Sequence, residues 1–280
     1  MSTRLRVLVN GEPEDRVPVS DRGFQYGDGL FETIAVREGE PVRWERHLAR
    51  LGLGCERLGI PPPDARVLRE EARRLSHGRE RAVLKLVYTR GPSPRGYAPP
   101  VSPTPTRALI VSEWPSHRAS PPEEGVAVCL CRQRLAANAR LAGIKHLNRL
   151  EQILARAEWR DEYAEGLMLN ARGDIVDGTM SNVFAVLDDV LVTPEIVDCG
   201  VAGVMRNLVL QRAAALGIPC RVRALALVDL RRAHEIFLTN SVIGVLPVGR
   251  FEERAVAVGA VTRALRRAIA EDDNDVARRA

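Results

Sequence analysis

Lysine is almost absent from this chain. Of its 41 Lys plus Arg, only Lys85 and Lys145 are lysine, leaving 39 arginines. Arginine serves wherever a long solvated cation is enough, but a guanidinium stays protonated and does not attack a carbonyl. The two surviving lysines are therefore the places to look for amine chemistry. Aromatic residues make up only 4% of the sequence, and the basic residues interleave with acids instead of forming a block. The net charge of +5 then describes a solvated surface, and no nucleic-acid partner is expected. No uncharged stretch is long enough to cross a bilayer, and no apolar run follows Met1–Arg6, so neither membrane insertion nor a signal peptide is expected. The five cysteines (Cys55, Cys129, Cys131, Cys199, Cys220) are odd in number and contain no C-x-x-C. They read as reduced thiols of a cytoplasmic protein, and no metal set is completed. Gly-x-Ser-x-Gly, His-Glu-x-x-His and a P-loop are also missing, which removes several hydrolase and nucleotide-binding chemistries.

What remains is globular: 280 residues with 45% hydrophobic and 28% charged content suit one large domain or two smaller ones. Strands are expected near 4–9, 30–37, 81–90 and 106–112, with Asn10-Gly11 and Glu38-Gly39-Glu40 as turns. A helix is expected over Trp44–Leu58, although Gly52 and Gly54 weaken it. Asp64 caps a second helix with the stripe Leu68, Ala72, Leu75. Ser20–Gly29 reads as loop, and so does the proline-crowded stretch Gly91–Pro105. Residues 115–125 read as a linker, followed by a strand near 126–132, a helix over 149–160 and a strand meander over 166–193. A helix then opens after Gly200–Gly203 and runs to about Leu216. Beyond it come strands near 220–225 and 235–240, with a short helical piece at 228–233 between them. The expected architecture is α+β in two domains. Residues 1–114 form a small N-terminal α/β domain, 126–272 a larger C-terminal one, and 273–280 a tail.

Lys145 stands just before a predicted helix start, because Asn148 and Glu151 have the spacing of a capping pair. Lys85, in the apolar run Arg81–Tyr88, reads as an outward-facing solvated residue. Gly200-x-x-Gly203 at a helix start is a ready anion site, since unpaired N–H groups and the helix dipole favour phosphate there. It is equally the ordinary way for a helix to begin. Asp177–Asn182 places hydroxyls and a carboxylate at a meander corner, where a hydrogen-bonded turn is the plain alternative. A lysine, an anion-binding helix start and a carboxylate together suit a cofactor carrying both a phosphate and an aldehyde, and pyridoxal phosphate fits that description.

Four segments carry a more specific resemblance: Ser20–Thr33 (SDRGFQYGDGLFET), Lys145–Leu150 (KHLNRL), Asp177–Phe184 (DGTMSNVF) and Gly203–Arg206 (GVMR). In order and spacing they resemble the class IV pyridoxal-phosphate aminotransferase family over nearly the whole chain. The Lys145 segment and Arg95-Gly96-Tyr97 are most similar to its aminodeoxychorismate lyase branch. The resemblance implies the two-domain fold type IV, with pyridoxal 5'-phosphate at the domain interface, and a homodimer. It implies Lys145 as the amine that condenses with the cofactor aldehyde and later moves the proton. Arg50, otherwise a solvated helix residue, becomes a phosphate ligand with the amides of Val204 and Met205 and the Ser241 hydroxyl. Asp177 takes the place facing the pyridine nitrogen, where the family has glutamate, and Met205 stands where many relatives have threonine. Thr33 assists proton transfer, in a place where branched-chain aminotransferases have glycine. Arg95, Tyr97 and Asn240 become substrate-binding residues, while Tyr26 and Asn182 support the fold around the site. The implied activity is a lyase acting on 4-amino-4-deoxychorismate. A branched-chain or D-amino acid aminotransferase is the alternative within the family, and a non-catalytic cofactor-binding scaffold the alternative outside it.

Overall fold

A computed structural model describes residues 6–115 and 122–279, with 273–279 by backbone alone. The chain divides into two compact units. One holds the residues up to Pro115, the segment Ile144–Asn148 and the end of the last helix; the other holds the remainder. Most of the expected linker, residues 116–121, lies outside the described residues.

The first unit is built on a five-stranded antiparallel sheet in the order β1-β5-β4-β2-β3. Its strands are β1 (Arg6–Val9), β2 (Gly29–Arg37), β3 (Glu40–Pro41), β4 (Arg81–Thr89) and β5 (Thr106–Glu113). Strict alternation sets its faces, because side chains along a strand point to opposite sides. Leu30, Ile34, Leu84, Leu86 and Leu109 are buried on one face, against α2 (Trp44–Leu58) and α3 (Ala65–Ser76). Helix α3 forms as expected, with Asp64 accepting from the Arg66 and Val67 amides and Leu68, Ala72 and Leu75 buried. In α2 one of the two glycines has a packing reason: a Cβ on Gly54 would lie 2.7 Å from a Leu30 methyl, whereas one on Gly52 would meet nothing within 4 Å.

Ser20–Gly29 is not all loop. Residues Arg22–Tyr26 form a helical turn, α1, whose Asp21 cap accepts from Gly23 N and Phe24 N and whose chain exits through Gly27 in the left-handed region. Five residues are too few to show helical periodicity, so only the Asp and Gly at the two ends could have signalled it.

The second unit carries a ten-stranded mixed sheet of β6 (Val126–Leu135), β7 (Glu165–Asn170), β8 (Asp174–Gly178), β9 (Asn182–Leu187), β10 (Val190–Thr193), β11 (Cys220–Val222), β12 (Leu225–Ala226), β13 (Glu235–Asn240), β14 (Gly244–Phe251) and β15 (Arg254–Ala255). Helices α4 (Leu150–Arg156), α5 (Val204–Ala215), α6 (Leu227–Arg232) and α7 (Ala260–Arg279) complete the fold. Two corrections follow from these boundaries. The expected helix over 149–160 stops at Arg156, and the backbone of the expected tail continues α7. The pairing path β9-β13-β14-β6-β7-β8 returns to β9 through the single register pair Asp177↔Asn182, so this part of the sheet closes on itself. Buried strands such as β7 and β13 are apolar on both faces because each face meets a separate core. Leu238 packs in one cluster and Phe237, stacked on Phe184 at 4.9 Å, in another.

Candidate active site

Lys145 is held by main-chain pairing. β3 covers only the far end of β2, pairing Val36 and Arg37, which leaves the near end of that edge open. The segment after Ile144 fills it: Phe31 N–H donates to the Lys145 carbonyl at 2.9 Å and Leu147 N–H to the Gly29 carbonyl at 3.0 Å. Gly29 must be glycine, since a Cβ would lie 2.6 Å from the Tyr88 carbonyl oxygen and 2.9 Å from Leu147. The Lys145 ammonium stands 4.5 Å from the centroid of Phe31. Phe31 and Thr33 alternate with the buried Leu30, Glu32 and Ile34, so the phenyl ring and the hydroxyl share the opposite face of the sheet. Lys85 pairs directly with Thr33 across the strands, and its ammonium is 5.4 Å from that same Phe31 ring. It is exposed, as its sequence context suggests, yet both lysines of the protein meet at one aromatic ring.

The expected capping pair is not used as one. Helix α4 starts from Arg149 without a side-chain cap. Asn148 donates instead to the Gly27 carbonyl at 3.1 Å, and Glu151 accepts from Ala136 N at 2.9 Å. Spacing measured along the chain cannot tell a local cap from a tertiary bond made by the same two side chains.

Arg50 is not a solvated residue. Its Nε and Nη2 grip both oxygens of Glu32, at 2.8 and 2.5 Å, and His47 Nδ1 lies 2.6 Å from Glu32 Oε2. Glu32 is 1% exposed. Burial alone would raise its pKa, but the Arg50 charge and the hydrogen bonds from His47 and Arg50 outweigh burial and bring it to about 2. Burial pushes His47 down, against the pull of Glu32. Among the described residues its Nε2 is a buried atom with no hydrogen-bond partner. Sequence reasoning passed over Glu32 and His47. A signal was there: Glu32 falls between Leu30 and Ile34 on the buried face of β2, and a carboxylate at a core position needs a buried cation.

Arg95 and Tyr97 project from the Gly91–Pro105 loop, with Tyr97 84% exposed. The loop is ordered by the buried Arg22, whose contacts are described below.

In the second unit Asp177 occupies the seam where the sheet closes. Its Oδ1 accepts from Asn182 Nδ2 at 2.6 Å and its Oδ2 from Val201 N at 2.8 Å. Asn182 also donates to the Val201 carbonyl at 2.8 Å. The corner Gly178–Ser181 is tied down by Glu165, which sequence reasoning missed. Glu165 is 3% exposed and accepts from the Thr179, Met180 and Gly166 amides and from the Thr179 and Ser181 hydroxyls. Close by, Gly203 precedes α5 and, having no side chain, provides no side-chain cap for the first-turn amides. Gly203 is required by contact and not by torsion: a Cβ would lie 1.9 Å from Asn182 Oδ1. Asn240 shapes the turn that follows β13, accepting from the Val242 and Ile243 amides, and Ser241 is the next residue in that turn. Asn240 also lines a cavity of about 310 Å³ with Arg156, Tyr163, Glu165 and Thr239. Thus Lys145, Thr33 and Arg50 are placed in the first unit, and Asp177, Val204, Met205, Ser241 and Asn240 in the second.

A family model described as amino-transferase class IV matches residues 29–251, and the chain belongs to that family. Among its relatives is an aminodeoxychorismate lyase of Vibrio harveyi, 39% identical over 86% of this chain and 89% of the relative. The crystal structure of 4-amino-4-deoxychorismate lyase from Pseudomonas aeruginosa is similar with a TM-score of 0.89 and 47% identity, covering 95% of this chain and 98% of that one. A putative branched-chain-amino-acid aminotransferase of Methanocaldococcus jannaschii is 30% identical over 94% of both chains.

Proposed function

We propose that the chain is a pyridoxal-phosphate-dependent lyase that converts 4-amino-4-deoxychorismate into 4-aminobenzoate and pyruvate, working as a cytoplasmic homodimer. The observation that carries this reading is the 47% identity to the Pseudomonas lyase across 95% of the chain. Lys145 at Phe31, on the face that also holds Thr33, suits it.

The donor groups fit the cofactor. From the first unit, Lys145 and Arg50 are proposed to hold it. From the second, the proposed ligands are Asp177, the amides of Val204 and Met205, and the Ser241 hydroxyl. An uncapped helix start with glycine before it offers N–H groups and the positive end of the dipole, which suits a phosphate. When bound, the cofactor supplies a protonated ring that accepts the electrons left behind by a departing proton. Asp177 holds that protonation in place, and it is itself oriented by Asn182 and Val201 N. Aspartate here is one methylene shorter than the family's glutamate. Lys145 Nζ takes the proton from the substrate carbon that bears nitrogen. Its contact with the Phe31 ring gives that amine a fixed, partly apolar seat. The Thr33 hydroxyl on the same face steers the proton, and the enolpyruvyl oxygen leaves as the ring becomes aromatic. Arg95, Tyr97 and Asn240 are the proposed partners of the substrate carboxylates.

The dimer is supported by α4, where Leu150, Ile153 and Leu154 are 74, 60 and 57% exposed at helical spacing. Such an apolar stripe is the kind of surface a second copy covers.

Incubation with 4-amino-4-deoxychorismate tests the reading, with release of 4-aminobenzoate and pyruvate expected. The 30% identity to an aminotransferase over 94% of the chain favours the second reading, transamination of branched-chain or D-amino acids. Oxo-acid-dependent transamination with no 4-aminobenzoate would select it.

A further inference from the structure

The motif Ser20–Gly29 has no role in the reading above beyond fold support, yet it contains a buried guanidinium that reaches five acceptors. Arg22 is 4% exposed. Its Nε is held by Asp28 Oδ2 at 2.7 Å. Its Nη1 reaches Ser93 Oγ at 3.2 Å, the Gly96 carbonyl at 2.9 Å and the Ala98 carbonyl at 3.4 Å, and its Nη2 reaches the Tyr97 carbonyl at 3.0 Å. Asp28 is shared with Arg90, which also donates to the Leu58 and Gly59 carbonyls and so anchors the pair to the end of α2. Arg22 also lies 5.1 Å over the Tyr26 ring, and Tyr26 stands 5.4 Å from the Tyr97 ring.

Burying a cation is costly unless its hydrogen bonds are made, and loops seldom demand it because water can satisfy their carbonyls. Here three successive carbonyls, of Gly96, Tyr97 and Ala98, accept from one buried side chain. The tip is shaped further by Gly96 at φ +118°, a conformation that excludes other residues. Yet the side chains the tip carries, Arg95 and Tyr97, are left exposed. A rigid backbone under an exposed guanidinium and phenol is what ligand capture requires, because ordering is already complete before binding.

We propose that Arg22 is a positioning residue for the substrate: its buried clasp on residues 93–98 fixes the tip that presents the Arg95 guanidinium and the Tyr97 hydroxyl to a substrate carboxylate. This deepens the lyase reading and rests on it. Lysine cannot replace Arg22, since an ammonium lacks the planar fork that spans Asp28 and the loop carbonyls at once.

The test uses the full chain loaded with pyridoxal phosphate and its Arg22→Lys variant. In the variant, tryptic cleavage at Arg95–Gly96 should speed up about tenfold or more as the clasp opens. KM for 4-amino-4-deoxychorismate should rise about tenfold while kcat stays within roughly threefold and the cofactor absorbance is unchanged. If Arg22→Lys fails to fold, Tyr26→Leu removes the ring that lies between Arg22 and Tyr97 while keeping every charged group, and should move both readouts the same way. Cleavage no faster than in the parent, or faster cleavage with KM unchanged, overturns the proposal. If the parent shows no lyase turnover but transaminates, the lyase reading falls, and the KM comparison is made with 2-oxoglutarate under the same criteria.

Discussion

Replacing Glu32 with glutamine tests the buried core of the first unit most sharply. Glu32 is held at about 2, from an ordinary 4.5, because the Arg50 charge and the hydrogen bonds from His47 and Arg50 outweigh the cost of burial. At about 1.4 kcal/mol per tenfold, that depression corresponds to on the order of 3 kcal/mol of stability at neutral pH. The sign is that of a depressed carboxylate: the contribution is complete above about 4.5 and disappears as pH falls toward 2. His47 acts in the same direction. Burial lowers its pKa, so the unfolded chain takes up a proton below about 6.5 that the folded one refuses. Glu32→Gln should therefore cost roughly 3 kcal/mol at pH 7, and the gap between parent and variant should close toward pH 2. Urea midpoints across pH 2–7, followed through the fluorescence of Trp44 buried on the adjoining helix, measure this. A loss below about 0.5 kcal/mol at pH 7, or a gap that does not change with pH, would refute the ion-pair account.

Other expectations are as direct. Lys145→Arg keeps a cation above Phe31 but removes the amine, so turnover should fall at least about 10³-fold and borohydride should no longer fix the cofactor to the chain; near-normal activity would end the assignment of Lys145. Gly203→Ala drives a Cβ to within 1.9 Å of Asn182 Oδ1 and should destabilise the second unit by about 2 kcal/mol or more, read as a denaturant midpoint. Glu165→Ala strips the acceptor from the corner Gly178–Ser181 and should cost on the order of 3 kcal/mol, whereas an unchanged midpoint would mean that water replaces the carboxylate. Asp177→Asn should lower turnover more than it lowers stability, because asparagine retains one acceptor for Val201 N but no negative charge.

Much of this was legible in the sequence. The apolar run Arg81–Tyr88 marked β4, the Asp64 cap and its stripe marked α3, and the scarcity of lysine singled out Lys85 and Lys145 before any fold was known. The misreadings share a cause. Asn148 and Glu151 have cap spacing but spend their side chains on Gly27 and Ala136. Arg22–Tyr26 is too short to show a period, and the backbone of residues 273–279 extends a helix where the charge pattern suggested a frayed end.

The sequence by itself determined the groups available: two lysines, a carboxylate in a meander corner, a glycine-led helix start and a family-wide order of motifs. Local rules suffice for these because hydrophobic period, caps and turns act over a few residues. Only the tertiary structure decided which polar groups are spent on one another. It turned Arg50 toward Glu32, set both lysines at Phe31, placed Asp177 and Asn182 at the closure of a sheet, and put Arg22 under a loop more than seventy residues away. Burial makes those pairings obligatory, since a charge or amide taken from water must find a partner, and no rule of local spacing says which one.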